Sequence, residues 1–297
     1  MTAGFMRSLD LLVLFDDHHE TFSTHTILEA NTMKRITVIL AIALSFMALT
    51  PVTAQDFSKG YDAYQAGDYA TALQEWTPLA DQGNANAQFN LGLMYENGLG
   101  VPQDYAEAIR WYRLAADQGL ADAQYNLGLM YEYGEGDLQD YAEAVRWYRL
   151  AADQGDTRAQ TYLGYMYDYG LGVPQDYAEA VRWYRLAADQ GNAFAQSYLG
   201  YMYYNGEGVL QDYAEAVRWY RLAADQGDTS AQYGLGRSYE YGEGVLQDNV
   251  MAHMWYDIGA ANGSEVGGTN RDSIAEGMTP SDGTVRAKLV EAGRARN

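Results

Sequence analysis

Between Asp140 and Gln175 the chain sets out its apolar residues at helical spacing twice in succession. Ala144, Tyr148, Ala151 and Ala152 fall at i, i+4, i+7 and i+8, and Ala159, Leu163, Met166 and Tyr167 repeat that spacing. Residues so placed share one face of an α-helix. Asp140 stands where an N-cap belongs, its carboxylate available to the first free N–H groups. Gly155 and Gly170 mark the two stops, since glycine enters left-handed backbone without a side-chain clash. Residues 171–175, with Gly172 and Pro174, read as a turn. The stretch predicts a helix hairpin.

The same 36 residues return from Asp104, Asp176 and Asp212 without insertion or deletion, and more loosely from Asp68 and Asp248; against residues 176–211 the stretch agrees at 28 of 36 positions. A fixed period of this size marks a solenoid, because one hairpin cannot bury its apolar face alone and must stack on its neighbours. The expected fold is therefore all-α, a right-handed α/α superhelical solenoid of about 13 or 14 helices. Residues 55–67 predict a single capping helix, residues 68–247 five hairpins, and residues 248–297 a degenerate capping repeat with a last helix. That repeat keeps Ala252, Trp255, Tyr256, Ala260 and Gly263 in register but has Gly267 and Gly268 where Ala-Gln belongs. Thr279 and Pro280 open the last helix, with Val285, Leu289 and Val290 as its stripe.

Ahead of the repeats the pattern changes. Residues 1–32 have no helical period, and Met33 then opens MKRITVILAIALSFMALTPVTA, with Lys34 and Arg35, an apolar run from Ile36 to Leu49, and small Val52 and Ala54 before Gln55. This is the layout of a secretory signal. Translation is expected to begin at Met33, residues 1–32 being a mis-assigned upstream extension. The apolar run, about 14 residues, is shorter than the roughly 18 to 20 that span a bilayer. The expected product is a soluble chain cut near Ala54, without membrane insertion, in the periplasm or the extracellular medium.

The strings AQTYLGYMYDYG, GLGVPQD and DYAEAVRWYRLAADQG resemble the Sel-one-like repeat, a bacterial-protein-rich branch of the tetratricopeptide-like superfamily, over roughly residues 57–290. The resemblance implies a scaffold that serves varied partners, and resemblance to secreted members implies a role in cell-envelope regulation or assembly.

Composition narrows the partners. The formal charge is −21, with 27 Tyr, 6 Trp and no Cys among 297 residues. Nucleic acid and anionic lipid are excluded as expected partners, since both are bound through Lys and Arg on phosphate. Disulfides and a lipid-modified cysteine are excluded outright.

The first-half sequence YAEAVRWYRLAADQG is the same in three copies and differs only at Ile109 in a fourth. It offers nothing with which to tell features of a ligand apart. Trp111, Trp147, Trp183 and Trp219 recur at core spacing and are expected inside, each adding about 1.5–3 kcal/mol. Arg146 with Glu143, and Arg149 with Asp153, are expected as solvated helix pairs.

The second half varies along one stripe, at i, i+3, i+7, i+10 and i+11. It reads Asn86, Phe89, Leu93, Glu96, Asn97; then Asp122, Tyr125, Leu129, Glu132, Tyr133; then Arg158, Thr161, Tyr165, Asp168, Tyr169. The last two copies read Phe194, Ser197, Tyr201, Tyr204, Asn205 and Ser230, Tyr233, Arg237, Glu240, Tyr241. Through Leu163, Gly164 and Tyr167 this half resembles the first helix of the tetratricopeptide pattern, which implies that the stripe lines the concave groove. The repeated Lys, Arg and Asn of that superfamily's carboxylate-holding clamp are missing, so a C-terminal carboxylate is not the expected ligand. Rings beside Glu96, Glu132, Asp168 and Glu240 suit a basic or proline-bearing peptide of a protein partner, or the apolar faces of a glycan.

No catalytic set is visible, and the chain reads as a non-enzyme. His253 is the single histidine after the signal and is expected to be exposed or half-packed; no zinc, calcium or phosphate motif occurs, so neither metal nor cofactor is expected. The resemblance extends to cysteine-rich relatives linked with β-lactam binding or hydrolysis, whose hairpins are tied by disulfides that this chain cannot form.

Overall fold

The computed structural model describes residues 56–136 and 139–278. Among them are thirteen helices and no strand: α1 (Phe57–Gln65), α2 (Tyr69–Asp81), α3 (Ala85–Asn97), α4 (Tyr105–Asp117), α5 (Ala121–Tyr133), α6 (Tyr141–Asp153), α7 (Thr157–Tyr169), α8 (Tyr177–Asp189), α9 (Ala193–Asn205), α10 (Tyr213–Ala224), α11 (Thr229–Tyr241), α12 (Asn249–Ala261) and α13 (Glu265–Ala275). Each helix packs on the next in the chain, as an all-α solenoid requires. The upstream extension, the signal segment and the last helix from Thr279 lie outside the described residues. No helix among the described residues is long and apolar enough to cross a membrane.

Two kinds of helix alternate. The first-type helices α4, α6, α8, α10 and α12 open on Asp104, Asp140, Asp176, Asp212 and Asp248, whose carboxylates accept backbone N–H groups that the helix itself cannot bond. The second-type helices α3, α5, α7, α9 and α11 end on a left-handed glycine, Gly170 with φ 67° in the case of α7. The first-type helix α6 stops at Asp153, with Gln154 as its cap and Gly155 just beyond at φ 92°.

The tightest seam joins a second-type helix to the first-type helix that follows it. Gly128 on α5 has no Cβ because Tyr148 of α6 lies there; a methyl group would sit 2.5 Å from the ring. Gly164 and Tyr184 repeat the arrangement at 2.6 Å. The core between these seams is alanine, leucine and methionine, with Trp111, Trp147, Trp183 and Trp219 all buried, as their spacing predicts. At the N-terminal end α1 covers the stack through Trp76, which packs at a tilt against Phe57 and Tyr64 and donates its Nε1–H to the Phe57 carbonyl at 3.1 Å.

A polar ladder runs through the same seams. Gln124 is buried, donates to the carbonyl of Ala116 at 3.0 Å, and accepts from Gln154 of the next unit at 2.7 Å. The links from Gln118 to Gln88, Gln190 to Gln160, Gln226 to Gln196 and Asn262 to Gln232 continue it. Each buried amide thus adds a second donor to a last-turn carbonyl that already accepts a glycine N–H, satisfies its own polar atoms and ties neighbouring units.

Two expectations are corrected. Arg146 pairs with Glu143 at 3.0 Å, but Arg149 donates to the Tyr167 hydroxyl rather than pairing with Asp153. The tyrosine lies across the hairpin seam, and Arg113, Arg185 and Arg221 reach Tyr131, Tyr203 and Tyr239 in the same way. His253 is buried, because its place in α12 is the register position of Val145, Val181 and Val217, all buried themselves.

Candidate functional site

The second-type helices meet along one face. Arg158 of α7 reaches Asp122 of α5 at 2.6 Å, the rings of Tyr165 and Tyr198 lie 6.3 Å apart across α7 and α9, and α11 touches both α9 and α13. Two clefts open on this face. The first, of about 690 Å³, lies among α5, α7 and α9 and gathers Tyr125, Glu132, Tyr133, Arg158, Thr161, Tyr165 and Phe194 from the variable stripe. The second, of about 600 Å³, lies between α9 and α11 and gathers Tyr169, Phe194, Ser197, Tyr201, Tyr204, Asn205, Ser230, Tyr233 and Arg237. Phe89, Leu93, Glu96, Leu129, Asp168, Glu240 and Tyr241 line neither.

Those placements follow from local packing. Phe89 is half-buried against the Tyr112 ring at 5.7 Å, and Leu93 and Leu129 are half-buried beside the core. Tyr125 is covered by the Arg158 guanidinium, 4.4 Å above its ring, and packs on Tyr148 and Tyr162. Tyr165 stands on Tyr169 at 4.5 Å between ring centres.

The carboxylates do something other than wait for a basic ligand. Glu132 is buried and accepts the Tyr148 hydroxyl at 2.5 Å; Asp168 is buried and accepts Tyr184 at 3.3 Å; Glu240 accepts Tyr256 at 2.7 Å, and Glu96 accepts Tyr112. Each of these four acids thus answers the tyrosine seated on the glycine of its own helix. Burial raises the carboxyls of Glu96 and Glu132 above the usual range and pushes Asp168 up to about 6, the tyrosine hydrogen bond opposing the rise in each. The expected row of free acids is therefore a row of internal Tyr–carboxylate pairs, because the i+10 position turns inward at the seam.

Charge on this face is carried instead by arginine. Arg158 is neutralised by Asp122 and by Asp156 at 2.5 Å. Arg237 has its guanidinium over the Tyr204 and Tyr241 rings, 5.2 and 5.8 Å from their centres. No group of residues among those described could hold a metal ion.

Sequence reasoning missed Tyr162, Tyr198, Tyr220 and Gly234, all of which line a cleft. A signal was available for three of them: Asn90, Asn126, Tyr162, Tyr198 and Gly234 occupy one register position that also differs from copy to copy. Tyr220 carries no such signal, since every copy from Asp104 onward has tyrosine there and only the first, with Trp76, differs.

The sequence profile of the Sel1 repeat matches residues 85–120, 121–156, 157–192, 193–228 and 229–264, so its frame opens on a second-type helix and encloses the tight glycine–tyrosine seam. No curated protein matches the chain. Among solved structures, a Sel1 repeat protein from Oxalobacter formigenes is 34% identical, with 82% of this chain and 100% of that one covered and a TM-score of 0.72. A protective antigen present in uropathogenic Escherichia coli strains, displaying an SLR fold, is 38% identical with a TM-score of 0.70; 78% of this chain is covered, and the chain spans 52% of the antigen's length.

Proposed function

Since the chain belongs to the Sel1 repeat family, whose repeats typically build scaffolds for protein–protein interaction, we propose that its second-type helix face binds a protein or peptide and that the chain is an exported, non-enzymatic interaction scaffold of the cell envelope. The observation that carries this reading is a run of large rings left in solvent along that face. Tyr133, Tyr169 and Tyr241 are 60%, 57% and 59% exposed, and Phe194 is 66% exposed. A folded chain that spends tryptophan, tyrosine and methionine on its core has no structural use for aromatic surface repeated at this spacing, and tyrosine is a preferred interface anchor.

Recognition on this reading is aromatic rather than acidic, because Glu132 and Asp168 are engaged inside. The partner contributes apolar or planar groups to the clefts and, through basic residues at the rim, tolerates the net charge of −19 that 35 acidic against 16 basic residues leave on the chain from Gln55. Export belongs to the same reading and rests on the signal layout of residues 33–54; N-terminal sequencing of the exported product is expected to begin at Gln55, and a start within residues 1–32 would remove it.

The test is retention of partners from envelope extract by the purified protein and by a variant carrying Tyr165→Ala, Tyr169→Ala and Tyr201→Ala, the variant first shown to match its parent in helicity and melting. A second variant with Leu114→Ala, Leu150→Ala and Leu186→Ala, exposed on the first-type helices, is the control. A protein kept by parent and control and lost from the tyrosine variant supports the reading. Equal retention by all three moves recognition off this face.

A further inference from the structure

The cleft between α9 and α11 is where three repeated positions change together. In the other units the first-type tyrosine is closed on two sides. Its hydroxyl donates to an acid of the preceding second-type helix, and a side chain of the following one covers it: Asn126 at 3.3 Å from the Tyr112 hydroxyl, Tyr162 on Tyr148, and Tyr198 stacked on Tyr184 at 4.9 Å. Around Tyr220 the acid is replaced by Tyr204, whose own hydroxyl turns away to Glu243, and the cover is replaced by Gly234. One turn along α11, Arg237 stands where the other units have Leu93, Leu129, Tyr165 and Tyr201.

Two polar groups are left over. Tyr220 is 6% exposed and lines the cleft, and its hydroxyl meets no hydrogen-bond partner among the described residues. The ring is buried while the hydroxyl opens into the cleft, so its proton is available to an acceptor that enters. Arg237 has no carboxylate at ion-pair distance among the described residues. Glu243, which acts on it through space, already accepts Tyr204, and Asp228 at the rim accepts the Ala231 N–H as the cap of α11 at 2.7 Å. The guanidinium of the neighbouring cleft, Arg158, has two acids to itself.

We infer that the cleft between α9 and α11 is a binding site for an aromatic carboxylate. The carboxylate takes hydrogen bonds from Arg237 and the Tyr220 hydroxyl, and the ring lies against Tyr201 and Tyr233. A volume of about 600 Å³ suits a ligand of that size. A guanidinium backed by aromatic rings binds a planar anion more strongly than a hydrated point charge does. The inference rests on the reading of this face as the binding face and names the chemistry of one site on it. The same chemistry can arrive as a free acid or, through Arg237 in this one unit and not through the repeated clamp residues that the chain lacks, as the end of a partner chain.

Calorimetric titration of the full chain with N-acetylphenylalanine and with its amide tests this. The acid is expected to bind, and the amide, Arg237→Leu and Tyr220→Phe each to weaken binding at least about tenfold, the worth of a charge-assisted hydrogen bond. Arg146→Leu, on the first-type helix α6 away from both clefts, is expected to stay within about twofold of the parent. Arg237→Leu installs the residue that the repeat itself uses at Leu129, so its fold is expected to persist, and circular dichroism checks it. A ten-residue peptide ending in phenylalanine, as acid and as amide, decides the source. Tighter binding of the peptide acid assigns the group to a partner chain, and tighter binding of the free acid to a small molecule; either keeps the inference. Absence of binding by both acids, equal binding of acid and amide, or parental affinity in Arg237→Leu overturns it. Partner capture lost in the tyrosine variant, with neither acid bound, would sink this inference and leave the binding face standing.

Discussion

The two clefts are built from the same 36-residue unit and differ in how the unit is finished. In the cleft among α5, α7 and α9 the polar groups are answered from within: Tyr148 by Glu132, Arg158 by Asp122 and Asp156. In the cleft between α9 and α11 the corresponding tyrosine and arginine are left for something else, because Tyr204 and Gly234 replace the acid and the cover. An individual site on a near-identical repeat thus needs only a few substitutions at the seam, while the scaffold beneath stays unchanged.

That shared scaffold is where the largest effects are expected. Gly164→Val and Gly200→Val would each drive a side chain into the tyrosine ring of the next helix, Tyr184 or Tyr220, where even a Cβ would come within 2.6 Å. Both are expected to cost about 3 kcal/mol or more in urea unfolding. Equal losses at the two sites would show that the clefts stand on one foundation; a loss at one only would break the comparison.

Smaller effects separate the clefts. Glu132→Ala leaves the Tyr148 hydroxyl buried without its acceptor and is expected to destabilise by about 1–3 kcal/mol. Tyr204→Glu rebuilds the missing pair, gives Tyr220 an acceptor, and is expected to raise stability while closing the second cleft to ligand. Thermal melts with and without N-acetylphenylalanine check both.

The Asp168 carboxyl, pushed up to about 6 by burial, sets a pH dependence. Its affinity for protons is higher in the fold than in the unfolded chain, so its contribution is fully present below about pH 4 and is lost as pH rises through 6. On its own it makes the protein more stable at pH 5 than at pH 7.5, by on the order of 2 kcal/mol across its full titration. Asp168→Asn is expected to flatten that part of the pH–stability curve relative to the parent. Identical curves would place the ionised group in a better-solvated setting. The smallest effect is expected at Arg158→Leu, an exposed ion pair worth about 1 kcal/mol or less in unfolding experiments.

Most of the fold was legible because it is written several times. Asp140 and Gly170 announce the ends of two helices, and tryptophan and alanine at fixed spacing announce the core. The variable stripe led to the face on which both clefts open, but not to its inner edge. Whether position i+10 points to solvent or to the seam differs by a few tens of degrees around a helix, and a period alone does not fix that angle; Glu132 and Asp168 fell on the inner side. Arg149 eluded the reading for a related reason, since its partner Tyr167 lies across the hairpin seam rather than one turn away on the same helix. Tyr220 was invisible because its singularity belongs to its neighbours and not to itself.

The central claim is that the near-identical first-type helices α4, α6, α8 and α10 build the stack and variable second-type helices do the recognising. Hydrogen–deuterium exchange of the full chain, with and without a partner retained from envelope extract, tests it most directly. The account predicts added protection in α7, α9 and α11 on binding, with α6, α8 and α10 unchanged. Protection confined to α6, α8 and α10 would contradict it.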